Sequence, residues 1–260
     1  MSSSPRNGSW TYGEYLQLPE LLNLQAEERG ISNDELHFII VHQTFELWFK
    51  QVICELSLVR DILTQENVLE SDIPKACDHL GRTSEIFRLM ENQWSVLETL
   101  TPQGFLAFRD GLGTASGFES YQVREFELLL GLKQEDRLYK MDVIEQFRIL
   151  AKNSEHDAAI LARLEAIQAK PTLFDSLLKW IERTPIMGSA YGDEGDELVV
   201  SDYVDTHLAG HQAVCDSAIA RLGDQGANHA KAAVARFDAA QIAAENFLRP
   251  DGEVNRARAG

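Results

Sequence analysis

Cysteine, basic residues and long apolar runs are all scarce in this 260-residue chain. The three cysteines, Cys54, Cys77 and Cys215, are odd in number and never spaced Cys-x-x-Cys, which argues against a disulfide framework and a zinc site and points to a reducing compartment. The N-terminal stretch from Met1 to Trp10 is polar and no window has the length needed to span a bilayer, so the expectation is a soluble, cytoplasmic protein. Lysine and arginine number 24 against 41 aspartates and glutamates, a formal charge of −17. That field repels phosphate backbones and anionic lipid surfaces at long range, which sets nucleic acid and membrane aside as partners. An anionic or zwitterionic ligand would then need a local basic anchor, and Arg109 is a candidate. Strand-period alternation and solenoid repeats are missing as well.

What remains is helical periodicity, and the fold class read from it is all-α. A chain of this length with 44% hydrophobic residues can bury a large core, and a single domain over residues 1–260 is expected. Ser32 and Glu35 stand in capping-box register, and Leu36, Ile39, Ile40, Leu47, Val52, Leu56, Val59 and Leu63 follow largely at helical spacing, predicting a long helix over 33–63. A second helix is expected over 75–97, and a third starts at Pro102 and ends at the glycines Gly111 to Gly113. Further helices are expected over 121–130, 134–150, 158–167, 173–183, 203–222 and 227–247, with 184–202, rich in glycine and acid, as a loop or lid. Gly113-Thr114-Ala115-Ser116-Gly117 is either an ordinary interhelix turn or a place where backbone lies close to a planar ligand.

Two helical faces combine a ring with a polar group. Spacing of four puts Phe38 with His42 on one, and Phe105 with Arg109 on another. If the faces met, they would offer ring contacts for a flat aromatic body, an imidazole for a ring N–H and a guanidinium for a carboxylate, a description that fits an aromatic amino acid. Each element also has a plain reading: His42 as a satisfied core histidine, Arg109 as a structural ion-pair partner. A third face carries His207, His211 and Cys215. Two histidines at that spacing can chelate a metal, although no third ligand is placed to complete a zinc site. One of them could instead be the axial ligand of a haem, with Ala209, Gly210 and Ala213 letting the macrocycle approach; the alternative is a polar helix face.

Five blocks in order over the first half resemble the tryptophan 2,3-dioxygenases, within the histidine-ligated haem-dependent aromatic oxygenases. They are Thr11-Tyr12-Gly13-Glu14-Tyr15-Leu16; Phe38-Ile39-Ile40-Val41-His42-Gln43-Thr44 running on to Glu46-Leu47-Trp48-Phe49-Lys50; Gln93-Trp94-Ser95-Val96-Leu97-Glu98-Thr99-Leu100-Thr101-Pro102; Phe108-Arg109-Asp110; and Ser116-Gly117-Phe118-Glu119-Ser120. The resemblance implies a helical haem-binding fold and heme b (iron protoporphyrin IX) as cofactor. It implies that His42 hydrogen-bonds the indole N–H, that Phe38 and Phe105 wall the substrate, and that Arg109 clamps its carboxylate. Trp94, Ser116 and Gly117 would line the haem, and His211 would be the iron ligand, with His207 in reserve. Tyr12, Tyr15 and Leu16, within an N-terminal segment 1–30, would reach a neighbouring subunit's site, which implies a homotetramer.

The second half departs from that pattern. Where the family carries Gly-Thr-Gly-Gly-Ser-Ser-Gly after the proximal helix, a loop that helps bind the substrate ammonium, this chain reads Arg221-Leu222-Gly223-Asp224-Gln225-Gly226-Ala227-Asn228-His229. The tryptophan and arginine that usually precede the proximal histidine are replaced by Leu208-Ala209-Gly210. His211 and Cys215 also form His-x-x-x-Cys, a spacing some related hydroxylases use for covalent haem attachment; a merely buried Cys215 is the preferred reading. With O2 as co-substrate, the expectation leans to 2-oxindole-forming monooxygenation of L-tryptophan or a side-chain-modified tryptophan. Ring-opening dioxygenation to N-formylkynurenine is the alternative, and a non-catalytic haem or O2-binding module a further one.

Overall fold

The computed structural model describes residues 10–113, 119–137, 140, 142–152, 154–223 and 227–259. Helices dominate throughout, and no β-strand occurs among the described residues, in keeping with the all-α reading. The chain divides into two compact units: residues 1–58 with 74–169, and residues 59–73 with 170–260.

The first unit begins with two short helices, α1 (Tyr12–Leu16) and α2 (Leu18–Leu21). Thr11 caps α1 through a reciprocal box with Glu14, satisfying two backbone donors. The long helix α3 (Asn33–Leu63) starts where the Ser32 hydroxyl accepts from the Glu35 amide at 3.1 Å. Within this unit α3 buries Val41, Phe45, Val52, Ile53 and Leu56 on one stripe, the burial that outweighs its β-branched residues' weak helix propensity.

Helix α4 (Ile73–Leu97) is tied to α3 by Gln93, whose amide donates to the Val41 carbonyl at 3.2 Å, and by His37 against the Val96 carbonyl at 3.2 Å. Helix α5 (Pro102–Arg109) has Thr101 as N-cap, accepting from the Gly104 amide at 3.0 Å, and proline in its first turn. Gly104 lies so close to α3 that an added Cβ would run into the Asp34 carboxylate. A 3₁₀ turn over Asp110–Leu112 then leads to Gly113, whose φ of 59° suits a residue without a Cβ.

Helices α6 (Tyr121–Leu130), α7 (Val143–Leu150) and α8 (Glu155–Gln168) pack a separate cluster of Leu128, Val143, Ile144, Phe147, Ile160 and Leu164. The single helix expected over 134–150 is broken. A 3₁₀ turn at Gln134–Asp136 gives way to extended backbone at Arg137, and Asp142 opens α7 by accepting from the Glu145 amide at 3.1 Å. Side chains drive the break: Gln134 donates to the Lys140 carbonyl and Arg137 to the Leu132 carbonyl, competing with helical backbone bonds.

In the second unit, α9 (Leu173–Arg183) is opened by a Thr172–Asp175 capping box. Helix α10 (Asp196–Gly223) starts inside the expected loop, which ends at 195 rather than 202. Val200, Val204 and Leu208, four apart and buried, hold this first part of α10 helical. Antiparallel to it packs α11 (Ala227–Leu248), and the short α12 (Arg256–Ala259) lies against α9 and α10. Arg256 fastens this corner, donating to the Thr184 and Ser189 carbonyls and pairing with Asp196 at 3.2 Å.

Candidate functional site

In the first unit, α3 and α5 bring Phe38, His42, Phe105 and Phe108 into one aromatic cluster. Ring centroids lie 4.0 Å apart for Phe38 and His42, 5.9 Å for Phe38 and Phe105, and 5.4 Å, edge to face, for Phe105 and Phe108. These spacings are those at which aromatic rings attract through their quadrupoles. Phe108 is buried, while Phe38, Phe105 and His42 keep part of their surface open.

One hydrogen bond fixes the chemistry of His42. Its Nδ1 stands 2.8 Å from the Phe38 carbonyl oxygen. A carbonyl can only accept, so Nδ1 carries the proton, and a neutral ring then has its lone pair on Nε2. The imidazole is set to accept a hydrogen bond from a ligand N–H. Arg109, one turn after Phe105, donates from Nη1 to the Gly113 carbonyl at 3.1 Å, a bond that steadies the side chain while using one of five donors.

The other sequence candidates scatter. Trp94 packs on Phe45 with tilted rings, centroids 5.0 Å apart, and about half its surface exposed (53%). Tyr12 and Tyr15 stand outward on α1, 76% and 73% exposed, and Leu16 is exposed beside them. Ser116 and Gly117 lie outside the described residues. His42 also borders an open, mainly apolar cavity of about 820 Å³, walled by Leu36, Ile40, Gln43 and Leu47 of α3 and bordered by Tyr121 and Gln122. Sequence reading missed this cavity, although exposed Ile40 and Leu47, seven residues apart, signal a second apolar stripe on α3.

A further polar cluster in this unit went unread. Glu55, 2% exposed on α3, accepts from Gln51, from His79 Nδ1 at 2.5 Å and from Arg82 at 2.7 Å. Burial pushes its carboxyl up, but the hydrogen bonds from Arg82, His79 and Gln51 and the charge of Arg82 outweigh that and hold it below its ordinary value.

In the second unit, His211 is half-buried on α10, and its Nδ1 meets the side-chain oxygen of Gln241 on α11. Cys215, one turn on, is buried at 4% with its sulfur 3.8 Å from the same nitrogen. His207 is exposed, beside a cavity of about 200 Å³ lined by Tyr203, Val204 and Phe247. That volume falls below the usual range for a cofactor pocket. Among the described residues no group of three or more histidines, cysteines or carboxylates could hold a metal ion, and no helix is long and apolar enough to cross a membrane.

An all-helical protein with an aromatic wall and an imidazole acceptor set into it is the class that these features define. The chain belongs to the tryptophan 2,3-dioxygenase family, whose sequence profile matches residues 2–230. It is 40% identical over 203 residues to a tryptophan 2,3-dioxygenase of Alteromonas mediterranea, covering 74% of this chain and 54% of that one. A Bdellovibrio bacteriovorus tryptophan 2,3-dioxygenase is 42% identical over 181 residues, covering 68% of this chain and 48% of its own length. Tryptophan 2,3-dioxygenase 2 of Ralstonia nicotianae is 34% identical over 244 residues, covering 92% of this chain and 65% of its own. The chain thus spans about half the length of most of these curated relatives.

Proposed function

We propose that this chain acts as a haem-dependent tryptophan oxygenase that opens the indole ring of L-tryptophan with O2, both oxygen atoms ending in an N-formylkynurenine product. The observation that carries the reading is His42, locked by the Phe38 carbonyl as an Nε2 acceptor within a wall of Phe38 and Phe105. The names of the relatives support ring opening over the 2-oxindole monooxygenation to which the sequence leaned.

In this reading His42 accepts from the indole N–H and so sets which ring edge faces the oxidant. Its part is orientation, since the indole N–H is too weak an acid for a neutral imidazole to take its proton readily. Phe38 and Phe105 confine the ring, and Arg109 binds the carboxylate with the donors that Gly113 leaves it. Contact of Trp94, Ser116 and Gly117 with the cofactor is carried by the family resemblance alone.

The donor chemistry at His211 supports heme b there. The Gln241 oxygen takes the Nδ1 proton, and Nε2 has no hydrogen-bond partner among the described residues, which is the donor pattern of a metal-bound histidine. An added Cβ on neighbouring Gly210 meets nothing within 4 Å, so the backbone is open to close approach there. When bound, haem supplies the activation of O2, and His211 would hold its iron while Cys215 stays a packed thiol. The outward Tyr12, Tyr15 and Leu16 support a homotetramer in which this segment covers a neighbour's pocket.

A second reading keeps 2-oxindole formation, favoured by the altered stretch 221–229 where the ammonium-binding loop would stand. Turnover of L-tryptophan under isotopically labelled O2, with the product weighed, separates the two. Two labelled oxygens in a ring-opened product are expected; one labelled oxygen in a product with its ring intact would overturn the first reading.

A further inference from the structure

We infer that Gln241 is a positioning residue that selects the tautomer of His211 and thereby makes its Nε2 the nitrogen offered to iron; this rests on the proposed role of His211. Two hydrogen bonds of one side-chain amide carry the argument. Gln241 Nε2 donates to the Leu208 carbonyl at 3.3 Å, back on α10, and its oxygen faces His211 Nδ1. The reverse orientation of the amide would set its oxygen against the Leu208 carbonyl oxygen, two acceptors face to face. The Leu208 carbonyl therefore fixes the amide, the amide oxygen requires a proton on Nδ1, and the lone pair of the neutral ring is left on Nε2.

Three residues on two antiparallel helices thus form a relay of fixed direction, from backbone carbonyl to amide to imidazole. Cys215 is a second polar neighbour of Nδ1, and at 3.8 Å its sulfur competes only weakly with an amide oxygen.

The choice of glutamine has a consequence for any bound metal. A neutral amide accepts the Nδ1 proton without drawing it off the ring, whereas a carboxylate there would give the imidazole anionic character and raise its basicity. Gln241 therefore accepts from His211 without imparting the anionic character that a carboxylate would. It also holds the ring plane, because the amide is anchored at both ends.

The test uses Gln241→Leu and the near-isosteric Gln241→Glu in the full chain, beside His211→Ala. Before any haem is added, nitrogen-15 NMR of the His211 ring reads the tautomer directly: Nδ1–H is expected in the native chain, and a shift toward Nε2–H in Gln241→Leu. After haemin is added, Gln241→Leu is expected to lose haem affinity by about 10- to 100-fold. Gln241→Glu is expected to retain haem, with an upshifted iron–histidine stretch in the resonance Raman spectrum of the ferrous form and a lowered reduction potential. An unchanged tautomer in Gln241→Leu, or an iron–histidine band that is the same in Gln241→Glu as in the native chain, overturns the inference. If the band survives His211→Ala, the assignment of His211 to iron falls, and the inference with it; if the band is lost there yet indifferent to Gln241, only the role of Gln241 falls.

Discussion

Replacing Glu55 with glutamine keeps the shape of the side chain and removes its charge, at a place where three donors converge on a carboxylate shielded from water. Glutamine retains a single acceptor oxygen, so its NH2 group is turned either toward Arg82, which can only donate, or toward His79, whose Nδ1 can accept only by moving its proton to Nε2. One charge-assisted bond is lost, at about 1.5–3 kcal/mol, and one buried donor is left unmet, at about 1–3 kcal/mol. The Arg82 end lies partly in solvent and can turn to water, which relieves some of this and leaves a net cost of about 2–4 kcal/mol. Urea unfolding followed by far-ultraviolet circular dichroism measures it.

The pH dependence gives a second, independent reading of the same site. The Glu55 carboxyl is held below its ordinary 4.5 in the folded chain, so the unfolded chain takes up its proton first as the solution is acidified. Its stabilisation is complete above the unfolded value and is lost as pH falls through the folded one. The gap between native chain and variant should be full at neutral pH and shrink below about pH 4.5. A gap under about 0.5 kcal/mol at neutral pH, or one that stays constant down to about pH 3, would refute the account of Glu55 as a charged tie between α3 and α4.

Two further substitutions test the core and the site. Leu164→Ala empties a fully buried position in the cluster of α6, α7 and α8 and should cost about 2–5 kcal/mol, read as a lowered denaturant midpoint with its slope unchanged. Arg109→Ala should leave the haem absorption spectrum as it is while reducing kcat/KM for L-tryptophan by about two orders of magnitude, the loss expected when a buried carboxylate loses its charged partner; equal activity on the decarboxylated amine and on tryptophan in the native chain would remove the guanidinium from the binding role.

Much of this architecture is legible from local signals. The reading of α3 over 33–63 matches at both ends because a serine cap opens it and an apolar stripe runs its whole length. Helices α6 and α9 likewise carry their own caps, Ser120 and Thr172, in front of periodic apolar positions. The break between 134 and α7 was hidden because apolar and charged residues continue at helical spacing across it, while the deciding bonds run from Gln134 and Arg137 to backbone carbonyls. The early start of α10 was masked by the glycines and acids of residues 192–197. Asp196, counted there as loop, is anchored by Ser189 and Arg256, the latter sixty positions onward in the chain.

The site divides in the same way. Phe38 with His42, and Phe105 with Arg109, follow from a spacing of four, but their meeting is a matter of α5 lying against α3, which Gly104 permits and no periodicity announces. Gln241 could not be found from sequence, because a lone glutamine thirty residues beyond a histidine carries no pattern. Cys215 is buried, and nothing in its burial bears on attachment to haem.

The oxygen that orients His42 belongs to the main chain at residue 38, while the ring that packs on His42, and that walls the substrate in the proposed reading, is the side chain of that residue. Pocket contour and imidazole direction are therefore separately heritable. If the proposed site is right, a smaller or larger group at position 38 would reshape what the cleft admits and leave the acceptor pointing as before, so new substrates could be explored by mutation without dismantling the contact that orients them.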